Sequence, residues 1–79
     1  MVVRVLLFAA LREAAGTSRL EVDAPTVGAL LDELAGRFGA EFARVLAIGS
    51  VVVDGEPSGR ERALTAGQEV ALLPPVSGG

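Results

Sequence analysis

Only one stretch of this chain repeats apolar residues at helical spacing over several turns. In PTVGALLDELAGRFG, Val27, Leu30, Leu31, Leu34 and Phe38 share one stripe, and Asp32, Glu33 and Arg37 occupy the opposite one. Thr26, after Pro25, suits the N-cap, and Gly39 suits the position just past the last turn. Gly28 and Gly36 each cost about 1 kcal/mol relative to Ala inside a helix, which predicts another element packed closely against both. With 79 residues, the chain is one domain near the lower limit of independent folding. The helix must therefore share a single core with whatever flanks it.

Its flanks alternate with period two. Val3, Val5 and Leu7 fall on one face of a first strand, and Arg4, Leu6 and Phe8 on the other. SRLEV alternates again, with Leu20 and Val22 set apart from Arg19 and Glu21. AALREAAG, read as a single helical turn, joins these two strands into a long antiparallel hairpin. Beyond the main helix, EFARVLA predicts a short second helix, and SVVVDGE a strand running into the two-residue hairpin turn Asp54-Gly55. PSGRERALTAG is irregular with Leu64 as its anchor, and QEVALL is the last strand. This order, β-β-α-β-(β)-β, predicts an α+β domain over residues 1–75: a mixed sheet with one main helix packed on one face. No internal repeat or linker interrupts it.

A single helix covers a single face of such a sheet. If Val70 and Leu72 of the last strand join the core, Glu69, Ala71 and Leu73 face outward. Were the first and last strands neighbours, Leu6, Phe8, Ala71 and Leu73 would form an exposed apolar patch, the usual mark of an interaction surface. The plainer alternatives are scattered apolar residues of the kind every soluble protein exposes, or a patch under a loop.

Composition limits the chemistry available. The chain has no Cys, His, Lys, Trp or Tyr, and all seven basic residues are Arg. That removes disulfides, thiolate nucleophiles, imidazole bases, the usual zinc ligands and any ε-amine. A net charge of −3 with no basic stripe argues against nucleic acid as a partner. No apolar run approaches the roughly 18 residues of a membrane span, and MVVRVLL lacks the layout of a signal peptide. A cytoplasmic location without membrane attachment is expected. A self-contained enzyme would have to work with carboxylates, Arg, Ser and Thr, so binding or carriage is the expected role.

The ending LLPPVSGG narrows that role. Pro74 and Pro75 have fixed φ and no N–H, so they stop strand pairing and hold the backbone extended. Val76, Ser77, Gly78 and Gly79 then form an expected flexible tail, residues 76–79, reaching roughly 13 Å at about 3.3 Å per residue. Two glycines without side chains can thread a channel too narrow for other residues. The group at the tip is a carboxylate, a poor electrophile until it is activated, typically as a mixed anhydride with AMP. The alternative is a frayed, glycine-rich end.

Taken together, LFAALREAAG, TVGALLDEL, LTAGQEVALLPPVSGG and a length near 80 resemble the small subunit of molybdopterin synthase, the MoaD family of ubiquitin-like sulfur carriers. The resemblance covers essentially the whole chain, and its most specific element is PPVSGG directly after an apolar strand. It implies a ubiquitin-like β-grasp fold with the first and last strands adjacent and parallel in mid-sheet. It also implies that an E1-like adenylyltransferase, consuming ATP, adenylates Gly79, and that a sulfurtransferase supplies sulfur to make the thiocarboxylate. The tail, Val76 to Gly78, would then enter the large catalytic subunit, in a heterotetramer of two small and two large subunits. There the sulfur passes to cyclic pyranopterin monophosphate in molybdenum cofactor biosynthesis. The small subunit is implied to bind no cofactor and to catalyse nothing alone.

Phe8 and Leu73 match the family's partner-facing surface, which Leu6, Ala71, Pro74 and Pro75 extend. Arg12 and Glu13 match its RE pair, with an expected role in capping or bracing the loop between the first two strands. Pro57 stands where an apolar docking residue is expected, and GRERALTAG carries more charge than usual. Related readings are a carrier for thiamine thiazole, tRNA thiolation or tungsten cofactor, and a protein modifier joined through Gly79 to lysines of targets. A plain β-grasp binding module is the third class.

Overall fold

The computed structural model describes residues 2–75. Along the chain run β1 (Val3–Leu7), α1 (Ala9–Ala15), β2 (Arg19–Val22), α2 (Val27–Phe38), α3 (Ala40–Ile48), β3 (Ser50–Val53), β4 (Glu56–Pro57) and β5 (Glu69–Leu73). The strands form one sheet in the order β2-β1-β5-β3-β4. β1 and β5 are parallel, with Val5 opposite Val70 and Leu7 opposite Leu72. The β1–β2, β3–β5 and β3–β4 pairs are antiparallel. First and last strands thus lie side by side in mid-sheet, as the sequence resemblance implied.

α2 begins and ends where its sequence says it should. The Ala29 N–H donates to Thr26 Oγ1 at 3.1 Å, satisfying one of the free donors of the first turn. At the far end Gly39 has φ 94°, a region that costs L-residues energy, and its N–H donates to Ala35 O at 3.1 Å. The same residue precedes α3 and accepts from the Ala43 N–H at 3.0 Å, so one glycine turns the chain between two helices. The β3–β4 turn is also as expected: Asp54 and Gly55 have φ 48° and 84°, the two positive values that a type I′ hairpin requires. Asp54 has a second task. Its Oδ1 accepts from the Glu69 N–H at 2.9 Å while its own N–H donates to Glu69 O at 2.9 Å, tying the hairpin to the start of β5.

Three expectations need correction. AALREAAG is not a single turn but the seven-residue α1, closed by Gly16 at φ 77°. Its Ala, Leu, Arg and Glu are all strong helix formers, and Leu11 anchors it in the core. The sheet face therefore carries three helices, because α1 supplies Leu11 and α3 supplies Phe42 and Leu46 to the core that α2 fills. Close packing explains only one of the two helical glycines. The Gly28 N–H donates to Arg60 O at 2.8 Å, and a Cβ there would lie 3.2 Å from that oxygen, whereas Gly36 faces open space.

The core joins Val3, Val5, Leu7, Val53, Val70 and Leu72 of the sheet to Leu11, Val27, Leu30, Leu34 and Phe42 of the helices. Val22 and Leu64 close its margins. Phe38 is half-buried and packs on Phe42, with ring centroids 5.1 Å apart. The loop before β5 is pinned to the start of α2: the Val27 N–H donates to Arg62 O and the Leu64 N–H to Pro25 O, both at 2.9 Å. No polar or charged residue is buried among those described. The ion pairs Glu33–Arg37 and Asp32–Arg60, at 2.6 and 2.8 Å, lie at the surface, where such pairs contribute little. No helix among the described residues is long and apolar enough to cross a membrane.

Leu34 is wholly buried on α2. Leu34→Ala should destabilise the domain by roughly 2–5 kcal/mol, through lost transfer free energy and the cavity left behind. Thermal or urea unfolding of the variant checks this, and a melting temperature equal to that of the parent would contradict the helix phase.

Candidate functional site

The helices leave the other face of the sheet bare. In-register pairing lays its residues out in rows. Arg4 stands between Glu21 and Glu69; Leu6 stands between Arg19 and Ala71; Val52 adjoins Ala71; and Ser50 adjoins Leu73. One end of this face is charged and the other is apolar. The apolar end is where β1 and β5 both finish, so Phe8 and Leu73 lie next to the point from which the chain leaves the sheet.

Strand parity was correct for every predicted patch residue. Val3, Val5, Leu7, Val70 and Leu72 are buried on the helical side, whereas Leu6, Ala71 and Leu73 are half-buried on the open side. Phe8 is 41% exposed, a large aromatic surface left in water. Pro74 is half-buried and Pro75 exposed, beyond the last paired residue of β5. Val76, Ser77, Gly78 and Gly79 lie outside the described residues.

The face includes Val52, which the sequence did not single out, and Pro57, which it did. Val52 lies on it because Val51 and Val53 pair with the buried Leu72 and Val70, leaving the middle valine to face outward. A run of three valines carries no alternation from which that phase could be read. Pro57 pairs with Val52 and is exposed, so it extends the apolar surface on β4. Ile48, at the end of α3, is 66% exposed. Arg12 and Glu13 are exposed on α1, and among the described residues their side chains make no hydrogen bond or ion pair. The expected bracing is done by the backbone instead, where Arg12 O accepts from the Gly16 N–H at 2.9 Å.

A groove of about 540 Å³ opens between α2, α3 and the β3–β4 region. Its two charged lining groups, Asp32 and Arg60, are bound to each other at 2.8 Å. No group of three or more His, Cys, Asp or Glu residues that could hold a metal occurs among the described residues. Among the described residues, Glu41 has its carboxyl held below the usual range by a hydrogen bond from Arg44 and by that guanidinium's charge, on the solvent side of α3. The bare sheet face and the strand end beside it carry the apolar surface that strand parity predicted.

Known proteins share this whole arrangement. The ThiS family matches residues 5–79. The small archaeal modifier protein 1 of Haloferax volcanii is 43% identical over 83 residues, covering 92% of this chain and 95% of its own. The molybdopterin synthase sulfur carrier subunit of Escherichia coli is 40% identical over 81 residues, covering 98% and 99%. The crystal structure of the Haloferax protein superposes over 100% of both chains with a TM-score of 0.85 and 38% identity. The chain belongs to the ThiS family and has the ubiquitin-like β-grasp fold.

Proposed function

We propose that this protein is the sulfur carrier subunit of a molybdopterin synthase, with residues 1–75 as docking domain and residues 76–79 as the tail that carries sulfur. The observation that carries the reading is that Pro74 and Pro75, which open the sequence PPVSGG, follow β5 directly at the apolar end of a sheet face that no described helix covers. The 40% identity to the Escherichia coli carrier subunit over nearly both whole chains supports it.

The chemistry requires only a carboxylate and suitable partners. An E1-like enzyme lets a Gly79 carboxylate oxygen attack the α-phosphorus of ATP, and pyrophosphate leaves. A persulfide on a sulfurtransferase then displaces AMP from the acyl carbon, and a thiol reductant cleaves the resulting acyl disulfide to give the thiocarboxylate. In the large synthase subunit the thiocarboxylate sulfur bonds to a carbon of cyclic pyranopterin monophosphate and displaces an oxygen substituent. Water then hydrolyses the resulting thioester, leaving the sulfur on the pterin and restoring the Gly79 carboxylate. This chain contributes the reacting group, its reach and a docking face formed by Leu6, Phe8, Ala71, Leu73, Pro74 and Pro75. It binds no cofactor itself, and the ATP is consumed by the activating partner.

A second reading rests on a specific observation, the 43% identity to a protein named as a modifier. The same acyl adenylate would then be captured by a lysine amine of a target instead of by sulfur. The absence of Lys excludes chains built through this protein's own ε-amines.

Deletion of Gly78 and Gly79 should abolish molybdopterin formation in an assay reconstituted with the large subunit, activating enzyme, ATP and sulfur donor. The melting temperature should stay near that of the full chain, since both glycines lie beyond the paired strand. Undiminished product from the truncated protein would refute the carrier reading; isopeptide conjugates in place of product would favour the modifier.

The docking face is testable on its own. Phe8→Ser combined with Leu73→Ser should leave a folded domain, because both side chains already meet solvent. Each such anchor gains about 1.5–3 kcal/mol when buried against a partner. Affinity for the large subunit should therefore fall by at least about tenfold, measured by titration calorimetry. Full-strength binding would place the docking surface elsewhere.

A further inference from the structure

We infer that Gly49 is a positioning residue that sets the direction in which the chain leaves β5. This inference rests on the carrier reading and adds a residue to it. Gly49 joins α3 to β3, with φ −90° and ψ −165°, an extended conformation open to any amino acid. Its N–H donates to Leu46 O at 3.2 Å, a bond any residue but proline could make. Backbone conformation therefore does not demand glycine here. Space does.

A Cβ built on Gly49 would fall on the Leu73 carbonyl oxygen, far inside the separation that real atoms keep. It would also stand 3.3 Å from the Leu73 carbonyl carbon and 3.4 Å from Pro74 Cα. No other described glycine is obstructed in this way. Gly36, Gly39 and Gly55 face open space; Gly28 would press on Arg60 O at 3.2 Å; and Gly59 would meet only the tip of the Glu61 side chain. A side-chain tip can swing aside at little cost, whereas a backbone carbonyl moves only with its whole peptide plane.

The contact lies where β5 ceases to be held. Val70 and Leu72 are completely buried and paired on both sides, with β1 and with β3. Leu73 faces only Ser50, and beyond it Pro74 and Pro75 belong to no strand. Upstream displacement would open the core, so a methyl group on Gly49 is accommodated by tilting the Leu73–Pro74 peptide. The required shift is about 1 Å, set by hard-core packing. Proline lacks φ freedom with which to absorb such a tilt, so two prolines in succession pass it on as a change of exit direction. In a reaction that depends on the tip entering a partner's active site, misplacement by about 1 Å can cost up to about 100-fold in rate. Leu6, Phe8 and Ala71 of the docking face lie outside this contact and keep their places.

The test uses the full chain and the E1-like activating enzyme with ATP, measuring pyrophosphate release against carrier concentration. Gly49→Ala should melt cooperatively and keep KM for the carrier within about twofold of wild type, while kcat falls at least about tenfold. Gly28→Ala, which inserts a methyl against Arg60 and not against β5, should leave both constants unchanged. A purely structural defect would move the two variants together. The inference is overturned if Gly49→Ala turns over at the wild-type rate, if its loss appears in KM alone, or if it fails to fold at the assay temperature. Wild-type protein that releases no pyrophosphate would instead refute the carrier reading, and this inference with it.

Discussion

Parallel pairing of β1 with β5 is the contact on which the rest of the molecule depends. Parallel neighbours cannot be joined by a tight turn, so everything from α1 to β4 serves as the connection between them. Both strands are completely buried on one face at Val5, Val70 and Leu72, and this seam is the centre of the core. Its formation lays the first and last strands side by side, so that the end of β1 places Phe8 beside the exit of β5. With all three helices drawn to one face, the opposite face keeps its apolar residues in water. The same seam therefore generates both the stability of the domain and the surface offered to a partner.

Stability and function are separated in space. The core is entirely apolar among the described residues, and the surface ion pairs add little to it. Polar groups are used instead to fix particular points: Thr26 Oγ1 at the start of α2, and the Asp54 carboxylate at the start of β5. The second of these steadies the strand whose far end releases the tail. A carrier needs a rigid base and a precise exit, whereas its reactive group needs nothing from the fold except placement. Leu34 and Gly49 illustrate the division, the first filling the core and the second guarding the exit.

Much of this was legible because strands and helices announce themselves by period. Alternation from Val3 to Phe8 and from Glu69 to Leu73 assigned every residue to its correct face, and the Thr26 and Gly39 boundaries of α2 follow from capping chemistry. Other features left no periodic signal. α1 is too short to show a repeat, so its second turn was missed; Val52 sat in an unbroken valine run whose phase only pairing with β5 decides. Gly36 and Gly49 look alike in a sequence, yet one faces open space and the other abuts a backbone carbonyl. Such contacts depend on residues distant in the chain, here 49 with 73, which local pattern cannot supply.

The central claim is that Gly79 carries sulfur, and the intact mass of the protein tests it most directly. The full chain would be produced together with an E1-like activating enzyme and a sulfur donor, then weighed by mass spectrometry. The account predicts the gain of a single oxygen-for-sulfur exchange, confined to the C-terminal fragment and absent when the activating enzyme is omitted. An unchanged mass, from protein shown to bind that enzyme, would contradict it.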